Sequence, residues 1–201
     1  MAQSCLRRGY EETTVEELLA ATGLSREDFD CHFADKEQCA MAAVDAILSE
    51  GMAAVSSAYS ADTSERDSAL MTLRLLLRLF AERPAFARLA FIDSRQAMPS
   101  GGRERYEAGF AILTAMLDRL RADSPGGERL PPSAARAAIG GGEALVRQRL
   151  VTDRGHQLPK ILPDLVYAAT VAFLGQDEAL RLARGSRVLL RAEEEFADEP
   201  R

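Results

Sequence analysis

The chain has 201 residues, of which 47% are hydrophobic, and a formal net charge of −6 at pH 7; that length and content suit a folded protein with a sizeable core rather than a disordered segment. The longest nearly uncharged apolar run, Leu165 to Gly175, is too short to span a bilayer, which takes about 20 residues, and no basic start followed by an apolar stretch suggests a secretory signal. Cys5, Cys31 and Cys39 are scattered and odd in number, which argues against a disulfide framework and for a cytoplasmic protein without a membrane partner.

In chain order, the stretch from Gly9 to Lys36 is the most informative. Thr14 opens a capping box with Glu17, and Val15, Leu18 and Leu19 follow on one helical face. Gly23 comes only about two turns later, where a left-handed turn suits glycine. Leu24 is placed to plug the gap between the two helices. Ser25 caps the next one, with Asp28 at its third position, and Phe29 and Phe33 lie four apart on a buried face. Asp35 to Gln38 forms a third cap, opening a long helix from Lys36 to about Tyr59. Two short capped helices around a glycine turn present the second helix to a DNA groove.

The remainder reads as helices between polar or proline-glycine breaks. Ser64 caps a helix to Ala81 that is apolar on two stripes, Leu70, Leu73, Leu77 and Phe80 on one, Met71, Leu75 and Leu79 on the other, and so is predicted to be buried all round. Pro84 starts a helix through Phe86 and Phe91 to about Ala97, and Pro99-Ser-Gly-Gly breaks the chain. Tyr106, Phe110, Leu113, Leu117 and Leu120 mark the next helix, Ser124-Pro-Gly-Gly a linker, and Pro131 or Ser133 the start of a helix to Val151. Further helices are expected over 158–174 and from about Asp177 towards Phe196. No strand pattern or internal repeat is visible, so the predicted fold class is all-α. Gly140-Gly141-Gly142 interrupts a helical pattern at about 1 kcal/mol per glycine relative to alanine. Either the bare backbone lets a second helix approach closely, or the helix is split there.

The N-terminal segment resembles the helix-turn-helix of the tetracycline-repressor (TetR) family of bacterial one-component regulators. Gly9, Tyr10, Thr13, Thr14, Val15, Gly23, Ser25, Phe29, His32, Phe33, Lys36 and Glu37 match the family pattern. The segment from Leu158 to Gly175 is similar to one found before and within the last dimerisation helix of many members. The resemblance implies a DNA-binding domain over 1–50, with its helix-turn-helix at about 14–33, and a helical effector-binding and dimerisation domain over 51–201. It implies a homodimer on a palindromic double-stranded DNA operator and a small-molecule effector, most often acting by releasing a repressor. No cofactor is implied.

On this reading Arg26, at the start of the reading helix, is the best base-edge residue, since arginine can pair bidentately with guanine. Thr14, Ser25 and Lys36 sit at helix starts that would face phosphates, and His32 can donate to one. Asp28 or Asp30 can accept from cytosine N4, and Glu27 faces solvent. Phe80, Phe86, Phe91, Met98, Tyr106, Phe110 and Met116 are candidates to line an effector cavity, with Arg95 and Gln96 as polar contacts; simple core packing is the alternative. The dimer bundle would use Ala138, Gly141, Gly142 and Leu145 from one helix and Leu165, Val166, Ala169 and Phe173 from another.

The sequence also departs from the family. Residues 1–50 carry four basic and eleven acidic side chains, a net of −7, so the rest of the chain sums to +1. Excess negative charge therefore sits where phosphates should be met, which weakens a duplex interaction built on counterion release. Asp30 replaces a tyrosine that commonly touches phosphate, Asp28 a small or hydroxyl residue, and Leu19 an alanine at the helix crossing. Only eight residues precede Gly9, so either the family's first helix is shortened or the chain starts upstream. Two alternatives follow. One is a related dimer that has lost specific DNA binding and works as a small-molecule-binding or interaction module. The other, an enzyme, is disfavoured: His32 and His156 are far apart, and no nucleophile elbow, phosphate loop or paired metal motif appears. Cys31, His32 and Cys39 lack an obvious fourth ligand for zinc.

Overall fold

A computed structural model describes residues 9–58, 64–94 and 100–197. The protein is all-α, with an N-terminal helix-turn-helix followed by a helical body. The helices are α1 (Val15–Thr22), α2 (Arg26–His32), α3 (Lys36–Ala58), α4 (Glu65–Glu82), α5 (Pro84–Arg88), α6 (Ser100–Ala122), α7 (Ala134–Val151), α8 (Leu162–Leu174) and α9 (Gln176–Ala197). A π-turn, Leu89–Asp93, continues α5, and 3₁₀ turns cover Gly127–Arg129 and Gly155–Ile161.

The predicted punctuation of the first three helices is present in detail. Thr14 and Ser25 each form a complete capping box, with Glu17 and Asp28, and Gly23 ends α1 at φ 70°. Asp35 accepts from the Gln38 backbone N–H at 2.8 Å to start α3. Leu18 of α1 and Phe29 of α2 are each 4% exposed, and the Phe33 ring lies 5.3 Å from that of Phe29, tilted by 52°. Leu24 does not plug a gap between the two helices, since it is 52% exposed.

Three apolar clusters hold the rest together. The largest joins Leu77 of α4, Ala87 of α5, Val146 and Leu150 of α7, Leu158 and Ile161 of the 3₁₀ turn, and Leu165 of α8. A second joins Tyr10 to Ala40, Met41 and Val44 of α3 and to Ala85 and Leu89. The third joins Leu117 of α6, Ala135 of α7 and Phe173 of α8. α9 packs chiefly against α8, and its Glu178 pairs with Arg66 of α4 at 3.0 Å.

The structure corrects four details. α4 is buried on one side only, since Met71 is 39% exposed and Arg78 shares the solvent side. The helix from Pro84 is α-helical only to Arg88 and then widens into the π-turn; its expected end near Ala97 lies outside the described residues. The proposed break at Pro99-Ser-Gly-Gly does not extend through the glycines, because α6 starts at Ser100. Gly101 is used for close approach instead: a Cβ there would run into the methyl of Met41 on α3. The segment from Leu158 begins as 3₁₀, with Pro159 inside it, before α8 starts at Leu162. Residues 140–142, by contrast, sit in an unbroken α7, which removes the split-helix alternative.

Leu89, fully buried between Tyr10 and α3, should be the expensive side chain to shorten. Leu89→Ala is expected to cost about 2–5 kcal/mol, whereas Leu24→Ala should stay within about 0.5 kcal/mol. Urea unfolding of both variants measures the difference.

Candidate DNA interface and ligand cavity

α2 is the exposed helix of the N-terminal module, and only Phe29 of its side chains is buried. Arg26 starts it, yet its guanidinium is already occupied. Its Nε donates to Asp30 Oδ1 at 3.0 Å and Oδ2 at 3.1 Å, and Nη1 reaches Glu16 Oε1 of α1 at 3.3 Å. Asp28 is held below the ordinary carboxylate range, first by the Ser25 hydroxyl and then by its backbone N–H. Glu27 and His32 are exposed, with the His32 ring edge-on to Phe33 at 6.3 Å. α2 thus offers Arg26 and His32 beside Glu27, Asp28 and Asp30.

Thr14 and Lys36 serve the fold in this structure. The Thr14 hydroxyl accepts from the Glu17 backbone N–H at 3.2 Å. Lys36 donates to the carbonyls of Tyr10 and Glu11 at 3.0 and 3.1 Å and lies 4.5 Å over the Tyr10 ring. Its ammonium therefore pins the Gly9–Glu11 loop onto α3 instead of standing free on the surface.

Next to this module, α3, α4, the π-turn and α6 line a partly open cavity of about 210 Å³. Phe80, Phe91, Tyr106, Phe110 and Met116 line it. Phe86 does not: it packs with the Tyr10–Leu89 cluster beneath Arg83, on the other side of α5. Arg95, Gln96 and Met98 lie outside the described residues. The sequence reading missed Thr72, Arg105 and the whole α3 wall of Val44, Ile47, Leu48 and Gly51. The α3 residues carry a helical-face spacing that could have signalled a shared surface. A second, more polar hollow of about 500 Å³ lies where α4, α6, α8 and α9 meet, lined by Arg66, Asp67, Asp123 and Arg181 among others.

The π-turn touches both parts. Ala90, Phe91 and Ser94 face the cavity, while Leu89 faces Tyr10 and α3. Between them Asp93 is 4% exposed. It accepts from the Tyr10 backbone N–H, and burial, opposed by Arg88, raises its pKa. Its Oδ2 has no hydrogen-bond partner among the described residues.

Of the residues proposed for a dimer, Leu165, Val166 and Phe173 are buried within the protomer itself. Ala138, Leu145 and Ala169 pack partly against the same clusters. Gly142 lies against Leu165, so a Cβ there would come within 3.2 Å of Leu165 Cδ2. Gly141 is exposed, and no other part of the chain comes within 4 Å of where its Cβ would stand. Val151 and Val188, 62% and 66% exposed, add apolar surface on α7 and α9. Among the described residues no three His, Cys, Asp or Glu side chains gather to hold a metal, and no helix is long and apolar enough to cross a membrane.

The chain is thus a capped helix-turn-helix set on a helical body, with an apolar cavity beside it. More specifically, the fold is that of the TetR-family transcriptional regulators. A solved structure assigned to that family, from Syntrophomonas wolfei, superposes with a TM-score of 0.64 at 14% identity, covering 85% of this chain and 90% of the other. The fatty acid degradation regulator FadR from Bacillus halodurans gives 0.63 at 16% identity, covering 87% and 94%. No protein-family profile and no curated protein sequence matches the chain.

Asp93 makes the module-to-body contact sensitive to pH. Its native pKa lies above its unfolded value, so the native state holds the proton more tightly and stability falls as pH rises from the ordinary carboxylate range through the native pKa. Asn keeps an acceptor for Tyr10 and removes the buried charge. Asp93→Asn should therefore gain stability over the wild type between about pH 4 and pH 7, with no gain at the acid end; thermal unfolding across that range tests it.

Proposed function

We propose that the protein is a dimeric, ligand-responsive regulator of transcription that binds a palindromic duplex operator through α2 and releases it when a small molecule fills the cavity. The observation that carries this reading is the helix-turn-helix itself. Two capped helices around Gly23 leave α2 exposed along its length while Leu18 and Phe29 are buried. The cavity shares the π-turn with this module, so a ligand that favours one position of Ala90–Ser94 would favour one position of Tyr10 and α3. On this reading the protein acts in the cytoplasm and is not an enzyme. In the proposed operator contact, Arg26 reads a base edge, Ser25, Thr14 and the α2 N-terminus approach phosphates, and His32 donates to one.

A second reading is favoured by a specific observation: Arg26 is neutralised by Asp30 and Glu16. On that reading the protein is a dimer of the same fold that no longer recognises an operator and works through its ligand or a protein partner.

Selection from a random duplex pool at about 50 mM salt, where phosphate attraction is least screened, separates the two. An enriched palindrome supports the regulator, and Asp30→Asn, which removes one of the two carboxylates that hold Arg26, should then tighten binding about threefold to tenfold. If neither the wild type nor Asp30→Asn enriches any sequence, the second reading replaces the first. The dimer has its own test at Gly141, which touches nothing in its own protomer. Gly141→Arg should leave the protomer as stable or about 1 kcal/mol more so, since glycine is a poor helix former. It should nonetheless shift sedimentation from dimer to monomer.

A further inference from the structure

We infer that the cavity takes an uncharged, mainly apolar molecule of about eight to ten non-hydrogen atoms carrying one hydrogen-bond acceptor, and discriminates against carboxylates. This rests on the small-molecule reading of the cavity given above and adds the chemistry of its occupant.

Size comes first. A buried apolar space of about 150 Å³ holds a benzene ring, so about 210 Å³ holds a somewhat larger molecule. Charge comes second. Among the described residues Arg105 is the sole charged one lining the cavity, and its charge is already met. Its Nε and Nη2 grip the two oxygens of Asp45 on α3, the second at 2.8 Å. The pair is half-exposed at 34% and 49%, which places it at the rim. The remaining wall is apolar apart from Thr72, Ser94 and Tyr106. A carboxylate entering this space would shed its water without finding an unbalanced cation, and an isolated buried charge is the costliest group to bury. A neutral molecule faces no such cost.

The single acceptor follows from Thr72. It is 2% exposed, lines the cavity, and its hydroxyl has no hydrogen-bond partner among the described residues. Ser94, opposite in character, already donates to the Ala90 carbonyl. A buried hydroxyl without a partner is a donor waiting for an acceptor, and a ketone, ester or alcohol oxygen supplies one.

Titration calorimetry of the full chain with 2-nonanone and with octanoate, matched in size, tests the inference. The wild type should bind the ketone at least about tenfold more tightly than the acid. Thr72→Val should weaken the ketone about tenfold and leave octanoate unchanged. Asp45→Asn, by freeing Arg105, should improve octanoate binding and leave the ketone where it was. Octanoate binding as well as the ketone in the wild type, or a ketone indifferent to Thr72→Val, overturns the inference while the cavity reading stands. Binding of neither molecule removes the cavity reading itself, and with it this one. The wild-type comparison needs no variant to fold, and the unfolding temperature of each variant shows whether its result can be compared.

Discussion

The burial of the Pro84–Ser94 segment on both of its sides is the constraint on which the rest of the structure depends. Leu89 has no exposed surface and is enclosed by Tyr10 and α3. Ala87 and Ile92, on the same short stretch, belong to the main core with α4, α7 and α8. Phe91 meets Phe80 edge-on at 5.0 Å on the cavity side. A segment packed this way cannot move as a loop would, because close-packed interiors shift between arrangements rather than deform smoothly. Any change in the cavity wall at Ala90, Phe91 or Ser94 is therefore felt at Tyr10, and Asp93 makes the link directional through one hydrogen bond.

The electrostatics of the N-terminal module have a local logic that differs from that of a DNA-binding surface. Glu17 and Asp28 complete capping boxes, so those acids stabilise helix starts. Lys36 is spent on two carbonyls and an aromatic ring. Arg26 is spent on Asp30 and Glu16. Cations that would face a phosphate backbone are thus engaged within the protein, and an exposed ion pair of this kind is weak enough to exchange partners. Whether Arg26 changes partners is decided by the relative strength of what is offered to it.

Much of this was legible in the sequence, for identifiable reasons. Capping residues act over three positions, so Thr14, Ser25, Asp35 and Ser64 announced their helices without reference to anything distant. Gly23 announced its left-handed turn for the same local reason. The cavity was half legible: the aromatic stripes of α4 and α6 predicted Phe80, Tyr106 and Phe110, yet periodicity cannot say which neighbour completes a wall, so α3 and Arg105 went unseen. Phe86 was misplaced because two adjacent turns of one short helix face opposite partners. Leu24 was misplaced because an apolar residue after a turn looks like a plug until its exposure is seen. For Leu165, Val166 and Phe173, an apolar face alone did not say whether it packs within the protomer or against another.

The π-turn at Leu89–Asp93 has one more consequence. A π-turn carries one residue more than the α-helix it interrupts, and each residue added to a helix turns everything after it by about 100°. The wider turn absorbs that extra residue, so removing one between Arg88 and Ser94 would return the stretch to α-helix with a much smaller rotation of Ser94 than the same removal from a regular helix would cause. In evolutionary terms, this turn can take up a change of length by tightening or widening, while its buried side chains such as Leu89 leave little room for exchange.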